Sequence, residues 1–163
     1  ILRGGVMFKI LKNTFLVVIL GIFISACSTT AKKSKSASAG DVYTGTDTVK
    51  YLATGVADRV FFATNSTGLT SAAKATLTKQ AGYIKASKIS VVIEGHADER
   101  GTREYNLALG ERRANAARDY LMTKGVAKSS IKVISYGKER PANTDSSKLA
   151  WSQNRRSVTV KAK

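Results

Sequence analysis

The hydrophobic pattern of the chain changes its period several times after residue 58. Residues 58–62 form a short apolar run typical of a strand, and 90–94 is a β-branched run typical of a buried strand. Between the two runs, apolar residues recur at helical spacing from Thr70 to about Ala86. The members of this stripe are Ala73, Leu77, Ala81 and Ile84. The pattern therefore predicts a strand, a helix and a second strand, in that order.

The second half of the chain repeats this alternation. Gly101-Thr102 can cap a helix that ends at Lys124-Gly125, where a basic turn meets a glycine. The remaining segments are predicted as strands at 131–135 and 157–160, a proline turn at 137–141 and a short helix at 145–151. The order β-α-β-α-β-(α)-β predicts an α/β fold, in the form of an α+β sandwich with helices packed on one mixed sheet.

The N-terminal segment has a different pattern, in which lysines precede an uninterrupted apolar run. Met7 offers a natural start, so we interpret residues 1–6 as an upstream extension. The run at 15–24 has about half of the ~20 residues that a membrane-spanning helix needs. Such a run, ending in small residues, predicts a secretory signal. The ending Ile-Ser-Ala-Cys is typical of a lipoprotein signal, which makes Cys27 the lipid-modified residue and 1–26 the removed peptide.

The signal ends at the only cysteine of the chain, so no intrachain disulfide can form. Two or more acyl chains on Cys27 would anchor the protein durably. The small, polar and basic residues 28–40 cannot bury enough apolar surface to fold, which predicts a flexible tether. We therefore expect a signal at 1–26, the lipidated cysteine and tether at 27–50, and one folded domain at 51–163.

Positive charge dominates the composition. Removing residues 1–26, which carry three basic and no acidic residues, lowers the formal net charge from +16 to +13. A charge of this size predicts attraction to polyanions such as nucleic acid, lipid headgroups or cell-wall polymers. An exported lipoprotein meets the last two, and the sequence has no zinc-finger spacing or phosphate-binding loop. We therefore predict no nucleic-acid partner and no cofactor.

Three polar residues surround the end of the second predicted strand. Asp98 follows that strand, while Asn106 and Arg113 lie seven residues apart on one helix face, about 10.5 Å along its axis. A carboxylate, an amide and a guanidinium suit a zwitterionic ligand. Arg112, rotated by about 100°, should face elsewhere. Two structural alternatives stay open: Asp98 as a helix-capping acid, and Arg113 as a donor to strand-end carbonyls.

Catalytic and metal-binding interpretations find little support. Glu94, His96 and Asp98 alternate along the strand, but a catalytic zinc site usually takes three protein ligands in tetrahedral geometry, and there is no second histidine. We expect His96 to be a hydrogen-bonded structural residue and Trp151 to be a packing residue. A cell-wall hydrolase is the enzymatic alternative, and it lacks a nucleophile–base pair. The chain is therefore predicted not to be an enzyme and to hold no metal.

Several sequence blocks occur together in a fixed order. They are GHADERG at 95–101, ERRA at 111–114, SYGKERPA at 135–142 and QNRR at 153–156. Over residues 55–161 the chain resembles the OmpA-like peptidoglycan-binding domain family. The lipoprotein signal fits the lipid-anchored members of that family better than the barrel-linked ones.

The resemblance implies a ligand and the residues that hold it. The family binds the diaminopimelate of the peptidoglycan stem peptide. By resemblance, Asp98 receives the ligand ammonium and Arg113 holds a carboxylate, where a guanidinium can bond bidentately. Asn106 lies near the ligand backbone, Arg155 is a further basic contact, and Phe62 lines the pocket. Ala63 stands where many relatives carry an acid, a loss for which Asn65 is a candidate replacement.

The resemblance also implies a place and partners. It predicts a lipid-anchored outer-membrane protein whose domain lies in the periplasm and binds peptidoglycan. It further implies membership of the Tol-Pal system in envelope integrity and cell division, with a TolB-like protein among the partners. A related lipoprotein outside that system is the alternative.

Overall fold

The structure of the protein is a computed structural model, and it describes residues 41–163. Three helices, a single 3-10 turn and six strands make up this part of the chain. The strands are β1 (Tyr51–Ala53), β2 (Val56–Ala57), β3 (Arg59–Phe61), β4 (Val91–His96), β5 (Ile131–Gly137) and β6 (Arg156–Lys161). The helices are α1 (Ser71–Ser87), α2 (Arg103–Thr123) and α3 (Lys148–Asn154), and the 3-10 turn is Lys128–Ser130.

Four strands form one mixed sheet in the order β3-β6-β4-β5. β4 and β5 run parallel, joined by the crossover helix α2, whereas β6 is antiparallel to both of its neighbours. α1 packs on α2, and α2 packs on β4 and β5. The predicted sandwich of helices on one mixed sheet is therefore confirmed.

The core lies between the helices and the sheet. The stripe predicted for α1 is buried, and it packs with Ala114, Ala117 and Leu121 of α2. α2 approaches β4 closely at two glycines, because a Cβ on Gly95 would lie 1.9 Å from the carbonyl oxygen of Gly110. A side chain at Gly95 would therefore push the helix off the strand whose end carries Asp98.

Side-chain caps set where the helices begin. Thr70 and Thr102 accept hydrogen bonds from backbone N–H groups three residues on, at 3.1 and 3.2 Å, as their sequence context predicted. The short helix was predicted at 145–151, but it begins at Lys148 because Ser147 is its cap. The β1–β2 hairpin was not predicted, since strands of three and two residues are too short to show a period.

Ordered contacts begin before the predicted start of the domain. Asp41 and Asp47, assigned from sequence to the tether, bond Arg155 and Gln153 of the folded part. The predicted signal peptide and Cys27 lie outside the described residues. Within residues 41–163, no helix combines the length and apolarity needed to cross a membrane.

Candidate functional site

A cleft of about 300 Å³ opens where the loop after β4 meets the first turns of α2. The close glycine contact brings these two elements together, so the loop residues and the helix residues share one wall. The lining residues are Thr64, Asn65, Asp98, Arg100, Gly101, Tyr105, Asn106 and Leu109. Two of the sequence-predicted site residues, Asp98 and Asn106, therefore lie side by side in it.

Asp98 is the acidic group of the cleft. Its Oδ1 accepts from Arg100 Nε at 3.0 Å and from the Arg100 backbone N–H at 3.2 Å, and its Oδ2 accepts from Arg100 Nη2 at 2.7 Å. Burial alone would raise the pKa of Asp98, but these bonds and the charges of Arg100 and Arg155 outweigh it and lower the pKa below its usual 3.8. Asp98 is therefore a carboxylate at neutral pH.

Arg155 lies behind Asp98 and is 2% exposed. Its Nη1 is 3.6 Å from Asp98 Oδ2, and its Nε donates to the carbonyl of Phe62 at 3.0 Å. Its Nη2 donates to Asp41 Oδ1 at 3.0 Å. Arg155 thus links the Asp98 carboxylate to the end of β3 from beneath, and it is not part of the cleft lining.

Asp41 is a member of this network that sequence reasoning missed. Its Oδ2 accepts from the Thr64 backbone N–H at 2.6 Å, and its Oδ1 pairs with Arg155. Hydrogen bonding from Thr64 lowers the pKa of Asp41, burial opposes this shift, and the charges of Arg155 and Arg100 add to it. Arg155 is 114 residues away in the chain, so no local sequence signal joins the pair.

Asn106 holds the loop after Asp98 in place. Its Nδ2 donates to the Arg100 carbonyl at 2.8 Å, and its side chain is almost fully buried. One residue earlier, the Tyr105 hydroxyl bonds Asn65 across the cleft. Asn65, the predicted replacement for the acid missing at Ala63, therefore lines the cleft, although it offers an amide and not a charge.

Arg113 is fully buried beneath the cleft and does not line it. Its three nitrogens donate to the carbonyls of Ser66, His96 and Ala63, at 3.0, 2.9 and 3.1 Å. The structural alternative considered from sequence is therefore observed. Burial lowers the pKa of Arg113 to about 10, so it stays charged at neutral pH. A guanidinium has five N–H donors, and two of them remain after these three bonds.

Of two further sequence expectations, the structure agrees with one and corrects the other. Arg112 is exposed, as predicted from its rotation around the helix. Phe62 does not line the cleft, which corrects its predicted role: it is fully buried in the core, and the Arg113 guanidinium lies 5.4 Å from its ring centroid. Phe62 therefore supports Arg113 from below.

Arg100 bonds the Asp98 carboxylate, which by resemblance was expected to receive a ligand ammonium. Its side chain is 41% exposed, and its guanidinium lies over the Trp151 ring at 4.3 Å as well as on Asp98. Trp151 therefore does more than pack, because it also holds this arginine. The position of Arg100, two residues after Asp98, was the available signal, since that spacing closes a turn whose guanidinium reaches back to the carboxylate.

His96 is 2% exposed and does not take part in the cleft. Neither ring nitrogen has a hydrogen-bond partner among the described residues, so the expected hydrogen-bonded histidine is wrong in that detail. Burial, followed by the charge of Arg156, lowers the pKa of His96 to about 3. Its nearest carboxylate, on Glu94, is 3.8 Å away. Within residues 41–163, no group of three His, Cys, Asp or Glu side chains could hold a metal ion.

Comparison with models of protein families agrees with this fold. The model of the OmpA family matches residues 61–155, which include the sheet end, the cleft and both buried arginines beneath it. The chain belongs to the OmpA family.

Named relatives are similar over different lengths. A "Peptidoglycan-associated lipoprotein" of Mesorhizobium japonicum is 57% identical over 106 residues, which cover 64% of this chain and 63% of that protein. The chain thus matches less than two thirds of that relative. A protein of the same name from Brucella melitensis biotype 1 is 43% identical over 147 residues, 86% of each chain.

A solved structure has the same fold. The crystal structure of the peptidoglycan-associated lipoprotein from Burkholderia pseudomallei aligns with a TM-score of 0.62 and 38% sequence identity. The alignment covers 64% of this chain and 90% of that one. The similarity therefore extends over nearly all of the Burkholderia chain.

Proposed function

We propose that this protein is a lipid-anchored envelope protein that holds peptidoglycan non-covalently and so links the outer membrane to the cell wall. Its OmpA-family domain, the names of its relatives and the lipoprotein signal at Cys27 support this proposal. The domain lies in the periplasm. Within the stem peptide, the ligand is the free amino-acid centre of diaminopimelate, which carries an ammonium and a carboxylate.

The observation that carries the proposal is the pairing of Asp98 with Arg100, a partner that a cationic ligand could replace. Arg100 is partly exposed and sits on the Asp98 carboxylate from the open side of the cleft. A ligand ammonium supplies the same positive N–H donors, so it can take the place of Arg100 without leaving a charge unpaired. Arg155 stays beneath and keeps the carboxylate oriented.

The carboxylate of the ligand is proposed to be held by the arginines. Displaced from Asp98, the Arg100 fork is free to bind it bidentately while still lying over Trp151. Arg113 contributes its charge and its two remaining N–H groups from below, and reaching those groups requires the cleft to widen. Asn106 holds in place the loop that carries Asp98 and Arg100.

Peptidoglycan from the native envelope tests this function directly. The full chain should be recovered with purified sacculi, and free diaminopimelate peptide should release it. Asp98→Asn keeps the shape of the side chain but removes its charge, and losing a charge-assisted bond, worth about 1.5–3 kcal/mol, should weaken binding roughly tenfold or more.

Asp119→Asn is the matched control, because it removes one acid from α2 far from the cleft, where Asp119 is 62% exposed. It should bind sacculi normally. Recovery of Asp98→Asn at the level of the unchanged protein would show that Asp98 is only structural. Release of wall fragments during incubation would favour a hydrolase instead.

The anchor and the partners belong to the same proposal. Cys27 is proposed to be acylated and residues 1–26 removed, which mass spectrometry of the native protein should show as an acylated N-terminal cysteine. An unmodified cysteine in an intact leader would contradict it. By family resemblance, the protein works in the Tol-Pal system during cell division, where a TolB-like protein and the wall compete for the domain. Co-purification that diaminopimelate peptide reduces would support this competition.

A further inference from the structure

The end of the domain opposite the cleft carries a group of lysines that the proposed function does not use. We call it the lysine end, and all its members are exposed: Lys85, Lys88, Lys124, Lys128, Lys132 and Lys161. They come from the last turn of α1, the end of α2, the 3-10 turn, the start of β5 and the end of β6.

Contacts in the structure show that these segments meet. Lys85 Nζ, near the end of α1, donates to the Lys124 carbonyl at the end of α2, at 2.7 Å. Val91, which opens β4, pairs with Ile131 on one side and Lys161 on the other. The helix ends and the strand ends are therefore joined on one surface, about 30 Å from Thr102 along the axis of α2.

The segments that form the lysine end carry no acidic residue. These segments are residues 84–92, 121–132 and 160–163. The acid nearest along α2, Asp119, is paired with Arg118 at 2.7 Å. The lysine end is therefore a positive surface whose charges are not neutralised by side chains of these segments, and it accounts for much of the basic charge of the domain.

We propose that the lysine end docks on the anionic phospholipid headgroups of the membrane that holds the lipid anchor. This proposal rests on the anchored function proposed above. Lysine ammonium groups are hydrated point charges without the planar fork that selects a single carboxylate or phosphate, so they suit a diffuse layer of headgroups. Docking in this way leaves the cleft, at the far end of α2, facing away from the membrane and toward the wall.

The length of the tether permits this arrangement. From Cys27 to Asp41 the chain has 14 peptide links, which extend to at most about 50 Å. A domain of this size is about 35 Å across. Asp41 contacts the domain beside the cleft, and the extended length of the chain from Cys27 exceeds the width of the domain, so the anchor does not prevent docking of the opposite end. Anchoring also raises the effective concentration of the lysine end at the surface, so weak docking is sufficient.

The experiment uses the lipidated full chain with two kinds of vesicle, one of phosphatidylethanolamine and phosphatidylglycerol and one of neutral phosphatidylcholine. Flotation measures attachment, and amine labelling read by mass spectrometry measures the exposure of each lysine. The members of the lysine end should be labelled several-fold more slowly on the anionic vesicles. High salt, which shortens the Debye length, should abolish the difference. Lys148, exposed on α3 beside the cleft, should label equally on both.

Two matched variants test the location of the effect. Replacing Lys85, Lys88, Lys128 and Lys132 by Gln should remove the protection of Lys124 and Lys161, since each charge changes the docked population about fivefold. Replacing the exposed Lys50, Lys74, Lys79 and Lys148 by Gln removes the same charge elsewhere and should leave protection intact. Both variants should still bind sacculi.

The outcomes separate this proposal from the anchor. Flotation with both vesicle types but equal labelling keeps the anchor and overturns docking, and flotation with neither overturns both. Flotation with anionic vesicles alone supports docking without an anchor. Protection by sacculi in place of vesicles would make a wall polymer the partner and overturn the proposal. Equal loss of protection in the two Gln variants would also overturn the proposal, because attraction to the vesicles would then depend on the total charge of the domain and not on the lysine end.

Discussion

The two ends of this domain are both basic, but they carry their charge in different ways. At the cleft end the buried cations are arginines, and Arg113 and Arg155 are almost without exposed surface. Both donate to backbone carbonyls, and Arg155 also pairs with the carboxylates of Asp41 and Asp98. At the lysine end the cations are exposed; Lys85 donates to the Lys124 carbonyl, and Lys124 and Lys161 lie over the rings of Tyr120 and Tyr83.

This difference teaches what each charge can do. A buried guanidinium fixes positions because its planar fork ties several chain segments together, so the charge is part of the fold. An exposed ammonium ties fewer chain segments together, and its charge acts over a distance that salt controls. The cleft end should therefore discriminate between ligands by shape, whereas the lysine end should respond to the charge density of a surface.

The largest expected effect comes from exchanging the kind of cation at the cleft end. Arg113→Lys retains the charge but removes the fork, so at least one of three buried carbonyls loses its donor. Unsatisfied buried acceptors cost about 1–3 kcal/mol each, which predicts a loss of roughly 3 kcal/mol and a melting temperature lower by about 10 °C. Differential scanning calorimetry measures this change.

Arg112→Lys is the control, since Arg112 is exposed on the same helix. It should change neither stability nor wall binding. A role in ligand binding alone would leave the melting temperature of Arg113→Lys unchanged, whereas the three carbonyl bonds predict a decrease. Equal melting temperatures for both variants would mean that the buried fork contributes nothing to folding.

A second effect comes from His96, which is buried near the cationic side chains of the cleft end. Its pKa in the folded state is about 3, whereas an unfolded chain has the usual value near 6.5. Between pH 3 and pH 6.5, the unfolded state therefore binds a proton at His96 that the folded state does not bind. Stability should fall as pH drops from about 6.5 toward 3, by at most about 1.4 kcal/mol per pH unit from this residue.

Urea unfolding across this pH range, with His96→Phe beside the unchanged protein, isolates the contribution. The variant should show a shallower loss of stability between pH 6 and 4, a window that lies above the usual pKa of aspartate. Parallel curves for the two proteins would show that the histidine is not responsible.

A smaller effect is expected at Asp41, which joins the tether to the cleft end. Asp41→Asn removes the acid that balances Arg155, leaving more positive charge near the proposed ammonium site at Asp98. Because Asp41 is 48% exposed, the pair is worth at most about 1 kcal/mol, so binding to sacculi should weaken up to about fivefold. Asp47→Asn, which removes the same charge from a side chain that accepts from Gln153 and not from an arginine, should leave binding unchanged.

The smallest effect belongs to the lysine end. Lys128→Gln should change the free energy of unfolding by less than about 0.5 kcal/mol, as usual for an exposed residue without partners. Thermal unfolding at low and high salt measures it. A loss comparable to that of Arg113→Lys would mean that the two ends do not differ as described.

The parts of the fold that depend on local sequence pattern could be predicted from the sequence. The stripe of α1, the threonine caps and the order of the large elements each follow from residues close in the chain. Asp98 was placed correctly in the cleft because a strand end and a helix start flank it. These features needed no knowledge of distant partners.

The remaining features depend on contacts between distant segments. Arg113 bonds carbonyls, and any residue type presents a carbonyl, so the sequence holds no sign of its acceptors. Asp41 finds Arg155 across nearly the whole described chain. Phe62 was assigned to the cleft by resemblance, but its side chain is in the core. Side-chain direction at a strand end depends on the local bend, which the pattern does not specify.

The position of β6 has a consequence for the order in which the protein can be completed. β6 is the last strand along the described chain, yet it lies inside the sheet, bonded to β3 on one side and β4 on the other. A growing chain therefore has a gap in its sheet until residues 156–161 have been synthesised, and Arg155 arrives just before them. An incomplete chain therefore cannot close its sheet around the core, and the cleft forms only once the final strand is inserted.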